Sequence, residues 1–231
     1  MFSLLSPLPS YMAITAPALT ITPGAVPWGI VFTLTILTLL PAILVCMTPF
    51  ARLLIVFHFL RQALGTQTTP SNQTLIGLAL ILTFFLMQPV GTAVLHDAIE
   101  PFEQGRISGE QALDRGSEPL RHFMMRFVRE KDVALFVDIA RLPRPRSTEE
   151  LPMRVVAPAY LLSELKAGFQ IGAVLFLPFL VIDLVVASVT LSVGMVQLPP
   201  VMISAPFKIL LFVLVDGWNL VIGSLVRSFY R

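Results

Sequence analysis

Apolar residues run in long, unbroken stretches along this chain, separated by short polar breaks and one polar insert. Trp28 to Thr48 carries no charge and is long enough to cross a ~30 Å hydrocarbon core as a helix, with Pro41 placed to kink it. Leu75 to Leu95 is a second charge-free run of span length, with Pro89 near its end. Val155 to Gly194 stays apolar for 40 residues while carrying Glu164, Lys166 and Asp183. One span needs only about 20 residues, so this stretch fits either two helices in a hairpin or one long helix that leaves the bilayer. Val201 to Val226 closes the series and carries Lys208 and Asp216. Between the first two runs, residues 50–64 are apolar but short and include Arg52, His58 and Arg61, the pattern of a buried or interfacial helix. Gly65 to Asn72 is a loop rich in Thr, Ser, Pro and Gly.

The insert, residues 96–154, has helical periodicity. Leu120, Phe123, Met124, Phe127 and Val128 recur on one helical face, and Ser117 before Glu118-Pro119 reads as the cap of that helix. Leu135, Phe136 and Ile139 form a second, shorter stripe that Pro143 and Pro145 end. Two amphipathic helices of this size cannot close a core alone, so they must pack on another copy, another subunit or the membrane-embedded body.

Composition sharpens this picture. Of 231 residues, 55% are hydrophobic and 13% charged, about half the usual ~25% charge of soluble domains. Residues 96–154 hold 10 basic and 11 acidic side chains, leaving 6 and 3 for the rest of the chain. That distribution describes an all-α integral membrane protein of apolar helical hairpins with a polar, amphipathic-helical insert. It excludes a disordered chain, a disulfide-stapled module and a free cytosolic enzyme. No basic patch interleaved with aromatics points to nucleic acid, and Cys46, the sole cysteine, sits among apolar neighbours as a packing thiol. Four regions follow: a Pro-rich lead-in or weak signal segment at 1–27, a first apolar hairpin region at 28–95, the insert at 96–154, and a second apolar hairpin region at 155–231. Arg52 and Arg61 favour a cytoplasmic loop between the first two runs, which puts the insert outside the cytoplasm if both flanking runs cross. Arg227 and Arg231 pull the C-terminus the other way in a four-span count.

Catalytic chemistry is not written in the chain. His58, His96 and His122 lack metal-ligand spacing, and no phosphate loop, dinucleotide fingerprint or nucleophile elbow occurs, so neither enzymatic activity nor a cofactor is expected. The informative residues are Glu164, Lys166, Asp183, Lys208 and Asp216, ionisable groups in apolar surroundings. At bilayer depth each charge costs roughly 2.5–3.5 kcal/mol on insertion scales, so they belong to an ion path, to pairs across helices or subunits (most simply Glu164 with Lys208), or to helices packed in protein. The second informative feature is the turn Ser192 to Pro200, where Gly194 and Pro199-Pro200 make a sharp bend around Met195, Val196 and Gln197. Such a bend is either an ordinary hairpin turn or backbone lining a cavity, where a flexible Met could plug a pore.

Three blocks of residues resemble the FliP family. The first is Arg61-Gln62-Ala63-Leu64-Gly65-Thr66, Pro70-Ser71-Asn72-Gln73 and Gly77 through Met87. The second is Pro158-Ala159-Tyr160, Ser163-Glu164-Leu165-Lys166, Phe169-Gln170-Ile171-Gly172 and Phe179 through Leu184. The third is Pro206-Phe207-Lys208 and Val215-Asp216-Gly217-Trp218. The resemblance covers about residues 28–230. It implies a core, channel-forming subunit of the flagellar type III export gate, in the bacterial inner membrane at the flagellar basal body. It further implies a ring of five copies with FliQ and FliR and other export apparatus proteins, passing unfolded flagellar substrates. It places an intersubunit ion pair at Glu164 and Lys208, and implies that many apolar helices face protein instead of membrane lipid. The family's gate turn carries consecutive methionines, whereas here Met195-Val196-Gln197 retains one. A virulence injectisome subunit is the nearest alternative, and a small ion-coupled transporter using Glu164 and Asp183 is a further one, opposed by the lack of an inverted repeat.

Overall fold

The computed structural model describes residues 28–143, 151–195 and 199–230. The lead-in at 1–27, and Val196 and Gln197 of the turn, lie outside the described residues. Among those described, every regular element is a helix, as the hydropathy pattern predicts. The chain divides into two units, residues 1–39 and 40–231. Helix α1, Trp28–Met47, is 20 residues long, uncharged, and contains Pro41.

The larger unit is built around α2 (Phe50–Ala63) and α7 (Met153–Ser192). The apolar positions of α2 fall on one face, burying Leu53, Val56, Phe57, Leu60 and Ala63. The chain resolves the 40-residue ambiguity as one continuous helix, about 60 Å long at 1.5 Å per residue. Gly168 and Gly172, one turn apart on α7, let α2 approach: a Cβ on Gly172 would sit 2.5 Å from the Phe59 ring, and one on Gly168 would sit 3.1 Å from Ile55. This is the small-residue spacing that permits close helix pairs in apolar media.

Helix α2 ends at Gly65, whose φ of +75° is the left-handed conformation that favours glycine. Arg61 then donates to Asn72 Oδ1 at 2.6 Å, and Ser71 caps α3 (Asn72–Val94) by accepting the Thr74 N–H at 3.2 Å. Helix α3 runs back along α2 toward the insert, through a π-helical turn at Leu95–Ile99 into α4 (Glu100–Glu103).

Within the insert, α5 spans Gly109–Phe127 and α6 spans Glu130–Ile139. Ser117 is not the cap. The helix starts nine residues earlier, at a reciprocal capping box in which Ser108 accepts the Gln111 N–H and Gln111 accepts the Ser108 N–H. Ser117 lies mid-helix and donates to Asp114 O at 2.8 Å, while Pro119 is tolerated inside the helix. The α5 stripe packs as expected, with Phe123 and Met124 buried. The α6 stripe is shifted: Val137 is buried and Phe136 packs against the core as expected, while Leu135 and Ile139 face outward. One core gathers Leu53, Phe57, Leu75, Phe123, Met124, Val137, Tyr160 and Leu225 from six helices.

The last apolar run is broken. Helix α8 (Pro200–Leu214) and α9 (Gly217–Arg227) meet at 66°, with Asp216 at a left-handed φ of +52° between them. By length and composition, Asn72–Glu103 and Met153–Ser192 can cross a membrane, and the bent α8–α9 pair has the composition of a broken span or a re-entrant loop. Apolar residues stay exposed on α3 at Ile81, Phe84 and Phe85 and on α7 at Phe169 and from Val174 to Val193. At about 60 Å by helical rise, α7 is about twice as long as a hydrocarbon core of ~30 Å.

Candidate charge nodes and gate turn

The charges in apolar surroundings form three nodes along α7. At the first, Arg52 of α2 donates through Nη2 to Glu164 Oε1 and through Nη1 to Ser228 Oγ at 3.3 Å. Its guanidinium also lies over the Phe229 ring, 4.1 Å from the centroid. Both partners are sealed from solvent, with side-chain exposures of 7% and 0%. Two ions in such a site are tolerable only together, since removing one leaves the other buried and unpaired. Tyr160 Oη and Glu164 Oε2 are buried and have no hydrogen-bond partner among the described residues.

The second node fastens the insert to α7. Lys166 donates to Asp132 Oδ1, and Ser163 donates to Asp132 Oδ2 at 2.7 Å while accepting the Arg129 N–H at 3.0 Å. Arg129 also reaches Gln170 Oε1 at 2.7 Å. Burial alone would push the Asp132 carboxyl up, but the hydrogen bonds from Lys166 and Ser163, with the charges of Lys166 and Arg129, hold it below the usual carboxylate range.

The third node joins α7 to α8. Lys208, 1% exposed, donates to Asp183 Oδ2 at 2.6 Å, and Ser204 donates to Asp183 Oδ1. The remaining candidate, Asp216, is exposed, accepts from Asn219 Nδ2 at 3.1 Å and pairs with no cation among the described residues. Near the α2–α3 loop, burial and the neighbouring Arg61 charge hold the His58 ring below its ordinary pKa, so its Nδ1, 3.2 Å from Arg61 Nη2, is an acceptor near neutral pH.

Within the chain, then, Glu164 and Lys208 do not pair with each other. Each has another partner, on another helix, and the intersubunit pairing implied by the resemblance would require an exchange. Sequence reasoning missed Arg52, Asp132, Ser163 and Ser204 as partners. Arg52 was visible as a cation inside a short apolar run. The others gave no signal, because the Asp132 to Ser163 and Lys166 contact depends on how the insert folds back.

At the far end of α7, the Gly194 N–H donates to Leu191 O at 3.0 Å with φ at +82°, and the Met195 N–H donates to Thr190 O at 3.0 Å. These bonds terminate the helix and turn the chain toward Pro199 and Pro200, which start α8. Met195 is half-exposed at this turn.

Continuous apolar helices joined by buried ion pairs define an all-α membrane protein. No group of acidic, histidine or cysteine residues that could hold a metal occurs among the described residues. The FliP family model matches residues 33–225, and the chain belongs to that family. It is 56% identical over 197 residues to the flagellar biosynthetic protein FliP of Pectobacterium carotovorum subsp. carotovorum, covering 85% of this chain and 76% of that protein. It is 50% identical over 196 residues to the flagellar biosynthetic protein FliP of Bacillus subtilis (strain 168), covering 85% and 89%. It is also 48% identical over 198 residues to the protein of that name from Caulobacter vibrioides, covering 86% and 74%.

Proposed function

We propose that this chain is a core, channel-forming subunit of the flagellar protein export gate, passing unfolded flagellar proteins across the bacterial inner membrane. The observation that carries the reading is the length of α7, about 60 Å of continuous helix with apolar residues exposed along it. A bilayer covers ~30 Å of that length, so the remainder needs protein partners. Copies of the same chain, arranged as a ring with FliQ- and FliR-type subunits and other export apparatus proteins, would cover it. In this reading the insert lies on the periplasmic side, and Met195, Val196 and Gln197 form the closed gate around the channel axis. The three charge nodes act as fasteners: their members are engaged with one another, which favours a conduit over an ion-coupled carrier. The chain supplies no chemistry of its own, and energy comes from its partners or the proton gradient.

The test is deletion of the gene, plasmid complementation, and measurement of hook and filament proteins in the culture medium. Export should be lost on deletion and restored by the plasmid. Export that survives deletion, with no second copy of the gene present, would refute the reading. Loss of effector secretion with normal flagellar export would assign the chain to an injectisome.

A further inference from the structure

From Leu53 to Leu95 the only Asp, Glu, Lys or Arg is Arg61, at the end of α2. Its guanidinium donates through Nη1 to Asn72 Oδ1 at 2.6 Å and to Pro70 O at 3.4 Å, and Nη2 lies 3.2 Å from His58 Nδ1. These acceptors are neutral, so they fix the group in place without cancelling its charge. No carboxylate pairs with Arg61 among the described residues. The chain has no acid before Asp97, and the nearby acids of α7 are engaged elsewhere, Glu164 with Arg52 and Asp183 with Lys208.

A cavity of about 430 Å³ opens beside this charge, within the roughly 300–1,000 Å³ of small-ligand sites. His58, Gln62, Thr66 and Gln67 line it with Arg61, and Val201 of α8 gives it an apolar edge. Helix α8 comes close here, since a Cβ on Gly65 would lie 3.3 Å from Ala205 Cβ and 3.7 Å from Val201 Cγ1. With its Nδ1 turned to Arg61, the His58 ring donates from Nε2. Arg61 Nε and the side-chain amides of Gln62 and Gln67 have no hydrogen-bond partner among the described residues. The wall therefore offers one full positive charge, several neutral donors and no acid. A phosphodiester matches that set, with a single negative charge and acceptor oxygens for a guanidinium fork.

The position of the cavity selects the source of the phosphodiester. Asn72 opens the span-length segment Asn72–Glu103, so the cavity sits where that segment begins, at headgroup level. Basic pockets between membrane helices are known to take anionic headgroups. Exposed apolar side chains follow on both helices, Ile76 and Leu80 on α3 and Met202 and Ile209 on α8, as a surface for acyl chains.

We propose that this cavity binds the headgroup of a monoanionic phospholipid of the phosphatidylglycerol type. Arg61 and His58 hold the phosphodiester, and Gln62 and Gln67 meet the glycerol hydroxyls.

The test uses the full chain in mild detergent, given equal amounts of phosphatidylglycerol and phosphatidylethanolamine with the same acyl chains and read by native mass spectrometry. Phosphatidylglycerol adducts should exceed the others by at least about fivefold. R61Q should abolish the preference, but it also removes the bonds to Asn72 and Pro70. Q67E keeps those bonds and offers Arg61 a carboxylate in place of the phosphate; it should abolish the preference with an unchanged circular dichroism spectrum. R227Q, which removes an exposed arginine elsewhere, should retain it. Glycerophosphoglycerol, the same headgroup without chains, should not displace the lipid at equal concentration; displacement would make this a site for a soluble phosphodiester and overturn the lipid assignment. A preference that survives Q67E overturns the site. Equal adducts of both lipids in the parent overturn it too, and would leave the Arg61 charge to an acidic side chain of a protein partner.

Discussion

Asp132 shows at the residue scale how one buried carboxylate fastens a polar insert to an apolar helix. Lys166 and Ser163 occupy both of its oxygens, and Arg129 adds charge, so its proton is lost more readily than in the unfolded chain. A depressed folded pKa gives stability that is complete above the unfolded value of about 3.9 and is lost as pH falls through the folded value. Hydrogen-exchange protection of α6 amides, corrected for intrinsic rates, should therefore be flat from about pH 5 to 8. D132N should lower it throughout that range by roughly 1–2 kcal/mol, a modest figure because Lys166 is 45% exposed and screened. Unchanged protection in D132N would show that apolar packing alone holds the insert. At this scale the sequence marked Glu164, Lys166, Asp183 and Lys208 as charges in apolar runs but not how they pair. A charge in an apolar run is visible in one dimension, whereas Arg52 meeting Glu164 across more than a hundred residues is set by helix register.

Helix α7 and its seat on α2 illustrate the element scale. Hydropathy located every apolar helix, because long uncharged runs admit few other structures in a membrane. It left α7 as one helix or two, since 40 residues are about twice the length of one span; Pro158 and Pro178 sit inside the continuous helix. The α5 start was legible only as the Ser-x-x-Gln pattern from Ser108 to Gln111; Ser117, two residues before Pro119, was the more conspicuous signal. The α6 face was misplaced because Val133 and Val137, not Leu135 and Ile139, turn toward the core. The glycine spacing on α7 yields a direct prediction. G172A puts a methyl into the Phe59 ring and should destabilise the helix pair by about 1–3 kcal/mol, whereas G168A, facing the more yielding Ile55, should cost less. Thermal unfolding in detergent, read by circular dichroism, measures both; equal and negligible losses would mean the pair does not depend on close approach.

The whole molecule places the α2–α3 loop and the polar insert at opposite ends of α3. If the insert is periplasmic, E110C in a C46A background should react in intact cells with a membrane-impermeant maleimide. Q67C, in the loop, should react only after the inner membrane is permeabilised. The reverse pattern would invert the orientation inferred from Arg52 and Arg61. The fastening of Lys208 to Asp183 also bears on how the protein is made. Separately, each charge costs roughly 2.5–3.5 kcal/mol to bring to bilayer depth, but as a pair they enter with no net charge. The distal part of α7 therefore gains its counter-ion only after residue 208 has left the ribosome. During synthesis it has to wait at the membrane surface or in the translocation machinery until α8 follows, and the hairpin, not the single helix, is the unit of insertion.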